Sequence, residues 1–161
     1  MNTTSLTAKR EHLAILLEVV QRCTHFMHAS GSKVFWPLHG VPLRQRCKEV
    51  DLFDSLAASR LRSSEVQENL GMTTRSIANV EEQDVDLFGA VIVSMERLKI
   101  IDSADHWKLI SEPCNAVNHE YEDDGARLAE FFELMVGDTP KLVGCFTRLQ
   151  AHCDSTYSLF Q

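Results

Sequence analysis

Apolar residues recur at helical spacing along most of this chain. Between Ser5 and His28 they fall mainly three, four or seven positions apart, which places them along one side of a helix. This pattern predicts a first helix over residues 1–30. Its inward face is expected to carry Leu6, Leu13, Leu16, Leu17, Val20, Cys23 and Met27.

Residues 31–42, GSKVFWPLHGVP, interrupt the helical pattern. Two prolines and two glycines among twelve residues are typical of a loop or a hairpin turn. We therefore expect a loop over residues 31–44. Its aromatic residues, Phe35 and Trp36, either plug the bundle or form a contact surface, and we favour the plug.

A second long helix is predicted from about Gln45 to Leu70. Gly71 is well placed to end it, because glycine readily adopts the left-handed conformation found after helix C-termini. Residues 72–84 are polar and less periodic, which favours a connection with room for one helical turn. The predicted inward face of this second helix carries Val50, Phe53, Leu56, Ala57 and Leu61, with Ser64 as a weaker member.

Helical spacing returns over residues 84–98, and the β-branched run GAVIVSM lies inside that longer period, so we predict a helix rather than a strand. Its inward face is expected to carry Leu87, Val91, Ser94, Met95 and Leu98.

The next helix is predicted to start at Asp102 as its N-cap, with Asp105 adding negative charge to the first turn. It should end near Tyr121. Proline inside a helix costs about 3 kcal/mol, so Pro113 indicates either a kink or the start of a separate helix. The predicted apolar residues are Trp107, which we expect in the core, Leu109, Ile110 and Val117.

The remaining sequence predicts two more helices. The segment EDDGARLAEFFELM begins the first with acidic residues near its positive end, and Gly137 is expected to stop it. Thr139 then caps the last helix with Pro140 at its first position, which is the favoured place for proline. This helix should reach about His152, with a loose tail beyond it and with Leu142, Cys145, Phe146 and Leu149 facing inward.

The elements together predict an all-α, up-and-down bundle of four to five long helices. The chain has 161 residues, enough for one ordinary domain and not comfortably for two. We therefore expect a single domain over residues 1–161, with a first helix at 1–30, a loop at 31–44 and the remainder of the bundle at 45–154.

Composition narrows the classes of function. No stretch approaches the roughly 20 apolar residues that span a bilayer, and the first residues carry charges where a signal peptide would be apolar. A cytoplasmic protein without a membrane partner is expected. Five scattered cysteines without a C-x-x-C pair predict reduced thiols. His25 and His28 lie three apart but lack a nearby third ligand, so no metal or other cofactor is predicted.

The net charge of −7 does not favour non-specific binding to nucleic acid, which depends on neutralising phosphates. RNA would have to meet a local basic patch. We interpret both candidate patches mainly as solvated helix faces; they consist of Arg44, Arg46 and Lys48, and of Arg60 and Arg62.

A polar motif stands out between residues 101 and 121. In order, the chain carries Ile101-Asp102-Ser103-Ala104, Trp107, Asn115 and His119-Glu120-Tyr121. With the Leu-Ala-Glu and Pro-Lys-Leu segments that follow, residues 97–153 resemble the HEPN proteins, and in particular the helical toxins encoded beside minimal nucleotidyltransferases. Residues 54–70 are also similar to the second helix of that family.

The resemblance implies a four- to five-helix bundle that forms a homodimer about its motif helices. It implies metal-independent RNA cleavage by an arginine and a histidine five residues apart, in a cleft at the dimer interface. It also implies a partner, a minimal nucleotidyltransferase antitoxin, which in some systems adds AMP to the motif tyrosine. Carried onto this chain, the motif residues are Asn115, His119 and Tyr121, and Tyr121 is the modification target.

The chemistry of these residues fits that role in part. Asn115 and His119 lie four apart and so share one helix face, and an imidazole titrates near neutral pH. Cys114, however, occupies the position of the expected arginine. A thiol is neutral and donates hydrogen bonds only weakly, and losing a donor to a developing oxyanion costs about 10²–10³ in rate. Replacement cations to consider are Lys108, Arg60 and Arg62.

Three functions follow as hypotheses. The first is a HEPN toxin-like component of a type II toxin–antitoxin pair, with ribonuclease activity weakened or lost. The second is an active endoribonuclease that uses a replacement cation. The third is a non-catalytic helical binding or regulatory module that partners a nucleotidyltransferase. The negative charge and Cys114 favour the first and third.

Overall fold

A computed structural model describes residues 3–83, 86–108 and 124–157. They confirm the predicted all-α class, because the described residues form helices and no strand. A short helical segment covers residues 104–108. The helices are α1 (Thr3–Gly31), α2 (Gly40–Gln45), α3 (Val50–Val80), α4 (Phe88–Arg97) and α5 (Gly125–Tyr157).

Helices α1 and α3 pack along each other in opposite directions. At one end, Lys9 Nζ donates to Asn79 O at 3.1 Å. Near the other end, the Arg62 guanidinium lies 5.3 Å from the centre of the Phe26 ring. The two helices are therefore antiparallel. The predicted inward face of α1 is largely confirmed, with Leu13, Leu16, Leu17, Val20 and Met27 buried and Leu6 and Cys23 partly buried.

The predicted inward face of α3 is confirmed only in part, at Leu56, which is buried, and at Phe53, which is partly buried against the core. Val50 and Leu61 are exposed, and the buried stripe includes small hydroxyl residues such as Ser59 and Thr73. Their hydroxyls donate to the carbonyls of Ser55 and Asn69 four residues earlier in the same helix. The hydroxyls are therefore satisfied without water, so these polar residues can be buried.

Gly71 does not end α3. The helix continues to Val80, and the predicted connection over 72–84 is wrong for its first nine residues. Thr73, Thr74 and Ile77 are buried beyond the glycine, and this packing outweighs the cost of about 1 kcal/mol for an interior glycine. Beyond Val80, Glu81 is the C-cap, and Glu82 adopts a left-handed φ of 58°.

A single helix, α5, replaces the two predicted after residue 123. Gly137 and Pro140 both lie inside it, and Thr139 is not an N-cap. Residues on both sides of Pro140 are buried in the bundle, which supports one continuous helix despite the missing backbone donor. The helix also extends to the buried Tyr157, beyond the predicted end near His152. The inward residues Leu142, Cys145, Phe146 and Leu149 are confirmed.

Helix α4 begins four residues later than predicted. Val91 and Met95 are buried as expected, but Ile92 is buried in place of Ser94, and Leu87 is exposed. The predicted first residues of this helix, 84 and 85, lie outside the described residues.

Most buried apolar residues in the described part of the chain belong to two cores. The larger core lies between α1, α3, α4, the segment 100–107 and the C-terminal half of α5. The smaller core lies between the loop 34–43, the start of α3 and the N-terminal half of α5. It consists of Val34, Leu43, Leu52, Leu56, Leu128, Ala129, Phe131, Phe132 and Met135.

The loop over 31–39 contributes to the smaller core, but not as predicted. Phe35 is 92% exposed, so it does not plug the bundle. Trp36 is partly buried against the smaller core, and its Nε1 donates to Gly31 O at 3.0 Å. The fully buried side chains from this region are Val34 and Leu43, and Leu43 lies on the unpredicted helix α2.

Candidate functional site

The motif residues Cys114, Asn115, His119 and Tyr121 lie outside the described residues, as do Leu109, Ile110, Pro113 and Val117. The structure describes the two segments that border these residues. They are residues 100–108, which carry the Ile101–Trp107 part of the motif, and the start of α5.

The segment 100–108 is fixed to the bundle by its own side chains. Ile100 and Ile101 are buried in the larger core, and Trp107 is buried as predicted. Arg148 on α5 donates from Nε to Ile100 O at 2.8 Å and lies 3.4 Å from Asp102 Oδ2. The Ile-Asp-Ser-Ala-x-x-Trp sequence therefore holds this part of the chain against α5.

Ser103, and not Asp102, caps the helical segment 104–108. Its Oγ accepts a hydrogen bond from the backbone N–H of His106 at 3.0 Å. Glu96 Oε2 accepts from the backbone N–H of Ala104 at 2.9 Å. The prediction of Asp102 as the cap is wrong because Asp102 pairs with Arg148, which only the tertiary fold brings close.

The start of α5 is also tightly defined. Asp124 Oδ1 accepts from the backbone N–H groups of Ala126 at 3.0 Å and Arg127 at 3.4 Å, so Asp124 caps the helix. A Cβ built on Gly125 would contact Gly40 O and would lie 3.0 Å from Arg44 Cβ. Helix α2 therefore crosses the first turn of α5 at backbone contact, which requires glycine at residue 125.

A groove separates α3 from α4 and the segment 104–108, with a volume of about 940 Å³. We call it the α3–α4 groove. Apolar side chains, including Met72, Phe88, Ile92 and Trp107, line much of it. Glu68, Arg75 and Lys108 add charge. Its volume is at the upper end of the range for ligand sites, and an apolar surface with few charges is typical of a binding groove.

The three predicted replacement cations occupy different surroundings. Lys108 lines the α3–α4 groove and lies 3.4 Å from Asp105 Oδ1. Arg62 lies 2.8 Å from Glu65 Oε2 and over Phe26, on the side of α3 that faces α1. Arg60 is partly buried on the same helix and makes its own contacts. Of the three, Lys108 lies in the groove.

Arg75 is a further charged residue of this groove, and its sequence pattern alone did not single it out. Its guanidinium lies 4.9 Å from the centre of the Phe88 ring in the same groove. Arg75 follows Glu68 by seven residues, which is about two helical turns, so both residues lie on the same face of α3. That spacing would have identified the pair if the helix had been predicted to continue past Gly71.

The other predicted basic patch is exposed. Arg44, Arg46 and Lys48 all face solvent, and Arg46 makes two hydrogen bonds to Glu49 at 2.8 and 2.6 Å. Chiefly because of these hydrogen bonds, the pKa of Arg46 is raised and the pKa of Glu49 is lowered from its usual value. This arrangement agrees with a solvated face.

A second group of titratable side chains joins the ends of α3 and α5. Glu81 Oε1 accepts from the Tyr157 hydroxyl at 2.7 Å and lies 3.2 Å from His152 Nε2. Burial, together with the hydrogen bond to Glu81, raises the pKa of Tyr157 well above its usual value. Because its members tie three helix ends together, with Arg10 of α1 over the Tyr157 ring, this group has a structural role.

The described part of the chain holds no cluster of three or more His, Cys, Asp or Glu side chains that could bind a metal ion. None of the helices in that part is long and apolar enough to cross a bilayer. Comparisons with protein-family models, curated proteins and solved structures give no match to this chain.

Proposed function

We propose that this protein is a HEPN toxin-like component of a type II toxin–antitoxin pair, partnered by a minimal nucleotidyltransferase, with ribonuclease activity weakened or lost. One observation carries the proposal: the ordered motif from Ile101 to Tyr121, with Cys114 at the position of the family's arginine. In this proposal the protein is a homodimer of helical bundles.

The described structure supports the proposal in two ways. The chain is all-α, as the family requires. The residues Ile101, Ser103 and Trp107 also have a structural role, because they anchor and cap the segment that leads into residues 114–121. An anchored approach is what a site needs if its reactive groups are to be held in fixed positions.

The proposed chemistry is transfer of the 2′-hydroxyl proton to His119 and attack of the 2′-oxygen on the adjacent phosphorus. The bond from phosphorus to the 5′-oxygen breaks, the 5′-oxygen takes a proton from water, and the products are a 2′,3′-cyclic phosphate and a 5′-hydroxyl. A cation would stabilise the charge that develops on the phosphate. Arginine does this as a planar, permanently charged donor, and the thiol of Cys114 cannot. Asn115 and Tyr121 remain as hydrogen-bonding groups.

RNA cleavage by purified variants tests the catalytic part. We expect Cys114→Arg to cleave a structured RNA about 10²–10³ times faster than the wild type, and His119→Ala in that background to abolish the gain. Cys47→Arg places the same substitution on an exposed cysteine, and His106→Ala removes a histidine near the motif; both should leave cleavage unchanged. A wild type as fast as Cys114→Arg would contradict the loss of activity.

Co-expression with the nucleotidyltransferase encoded nearest to this gene tests the partner. With ATP present, we expect mass spectrometry to find AMP on Tyr121. The chain has two tyrosines, so Tyr157, which is buried, supplies the control. Tyr121→Phe should abolish the modification and Tyr157→Phe should retain it. If that nucleotidyltransferase neither co-purifies with this protein nor modifies it, the pairing is contradicted.

The α3–α4 groove favours a second candidate, a non-catalytic binding or regulatory module. An apolar groove of about 940 Å³ with few charges suits a helical partner better than RNA, and the net charge of −7 points the same way. If Cys114→Arg gains no cleavage while the nucleotidyltransferase still co-purifies, this candidate replaces the first.

A further inference from the structure

The connection between α1 and α3 concentrates positive charge at one end of the bundle. Residues 31–48 carry four of the 16 lysine and arginine residues of the chain and none of its 23 acidic residues. Arg46 is paired with a neighbouring glutamate. Lys33, Arg44 and Lys48 are exposed and form no ion pair with the described residues. A chain of net charge −7 therefore presents three unneutralised cations in this region.

Exposure alternates from residue to residue along the loop that leads into α2. Val34, Trp36 and Leu38 are buried or partly buried against the smaller core. Because every second residue faces that core, the residues between and after them lie on the outer side of the loop. These outer residues, all exposed, are Phe35, Pro37, His39 and Val41.

The outer side of this loop is largely apolar. The Phe35 side chain is 92% exposed and that of Val41 is 72% exposed. Single exposed apolar residues are common on protein surfaces, but here they lie in a row with a proline, and cations lie on both sides of the row along the chain. We call this set of six residues the loop surface; it consists of Lys33, Phe35, Pro37, Val41, Arg44 and Lys48.

This combination of side chains matches the chemistry of a bilayer surface. Apolar side chains gain free energy by entering the region between headgroups and acyl chains, while lysine and arginine are attracted to anionic headgroups. Single-stranded nucleic acid fits less well, because it binds aromatic rings on which its bases stack. Phe35 supplies such a ring, whereas Pro37 and Val41 do not.

We propose that the loop surface binds bilayers that contain anionic phospholipids. Its three apolar residues enter the interfacial region, and its three cations contact lipid phosphates. The protein then lies on the bilayer without spanning it. The expectation of no membrane partner came from the lack of an apolar span and of a signal peptide, neither of which interfacial binding requires. This inference does not rest on the proposed function.

Vesicle flotation with the full-length protein tests the loop surface. One set of vesicles contains phosphatidylcholine alone, and the other contains phosphatidylcholine mixed with phosphatidylglycerol. We expect the wild type to bind the mixed vesicles about tenfold more tightly or better, because only they carry net negative charge. Added sodium chloride should weaken this binding, since it screens the attraction between exposed charges.

Substitutions separate the charged and apolar contributions. Lys33→Gln and Lys48→Gln should each weaken binding to the mixed vesicles about fivefold. Phe35→Ser should weaken it about tenfold or more, and Phe35→Trp should retain it. All three positions are exposed, so circular dichroism should show unchanged helices.

Two control variants change exposed residues outside the loop surface. Lys99→Gln removes an exposed lysine beyond α4, and Ile15→Ser removes an apolar side chain that is 59% exposed on α1. Both should bind the mixed vesicles as the wild type does.

Three results would overturn the proposal. The first is a wild type that binds neither kind of vesicle. The second is binding that the loop-surface variants and the controls weaken equally. The third is a wild type that binds single-stranded RNA through Phe35 and Lys48 but does not bind vesicles, which would assign the surface to nucleic acid. Because vesicle binding uses neither RNA cleavage nor the nucleotidyltransferase, its failure leaves the proposed function unaffected.

Discussion

The larger and the smaller core are built from different kinds of sequence. Most of the larger core comes from regular stripes on long helices, such as Leu13, Leu17 and Val20 of α1. The smaller core combines one end of α5 with Val34 and Leu43, which come from a stretch interrupted by proline and glycine. Helical spacing therefore predicts the first kind of core, but it misses the contribution of Val34 and Leu43 to the second.

Helix α5 links the two cores, so we expect the bundle to unfold in one step. Phe132→Ala in the smaller core should lower the free energy of unfolding by about 3–5 kcal/mol, and Leu149→Ala in the larger core by about 2–5 kcal/mol, because both side chains are fully buried. Leu134→Ala, at an exposed position of α5, should change it by less than about 0.5 kcal/mol.

Urea unfolding followed by both circular dichroism and tryptophan fluorescence measures these effects. Two separate transitions, with Phe132→Ala shifting one and Leu149→Ala the other, would show that the two cores unfold as independent units.

The next largest effect is expected at the crossing of α2 and α5. Gly125→Ala places a methyl group against Gly40 O and Arg44 Cβ, which should cost about 1–3 kcal/mol. Gly137→Ala is the matched control in the same helix, since no described heavy atom beyond its own backbone surroundings lies within 4 Å of the added Cβ. It should stabilise the protein by about 0.5–1 kcal/mol. Equal thermal melting shifts for the two alanines would refute the close crossing.

A smaller effect on the free energy of unfolding is expected from the hydrogen bond between Tyr157, a residue of the larger core, and Glu81. Tyr157→Phe removes the bond to Glu81 Oε1 and should cost about 1–2 kcal/mol at neutral pH. Ser155→Ala, which removes an exposed hydroxyl bonded within its own helix, serves as the control and should cost less than about 0.5 kcal/mol. Denaturant midpoints compare the two variants, and an unchanged midpoint for Tyr157→Phe would remove the structural role of this group.

Ionisation of the buried thiols should have the smallest effect on the free energy of unfolding at neutral pH. This effect should increase as the pH becomes alkaline. Burial raises the pKa of Cys145 and of Cys153 from 9.0 to about 12. A raised pKa means that the folded state favours the protonated thiol, so this stability is fully present below pH 9 and is lost as the pH rises toward about 12. Tyr157 acts in the same direction at higher pH, since its pKa is also raised.

Urea midpoints measured from pH 8 to 11 test this sign. Cys153→Ala should lose stability less steeply with pH than the wild type. Cys47→Ala, which changes an exposed thiol, should follow the wild-type slope. An alkylating reagent should likewise modify Cys47 well before Cys145 or Cys153. Parallel pH slopes for all three proteins would contradict the burial of these thiols.

The sequence by itself determined the all-α class, the inward face of α1 and the inward residues of the last helix. Each rests on apolar residues in helical spacing, and that spacing depends only on the geometry of the helix. It also supplied the Ile101–Tyr121 motif, whose residues 109–121 lie outside the described residues, so the proposed site remains a prediction from sequence.

Only the tertiary structure decided where the helices end and which side chains lie together. Gly71, Gly137 and Pro140 are typical helix-ending residues, yet packing on both sides of each keeps its helix continuous. The buried face of α3 and the pairing of Asp102 with Arg148 were equally hidden, because both depend on neighbours distant in sequence. A local pattern records what one helix can bury, whereas the free energy that selects among the alternatives comes from contacts between helices.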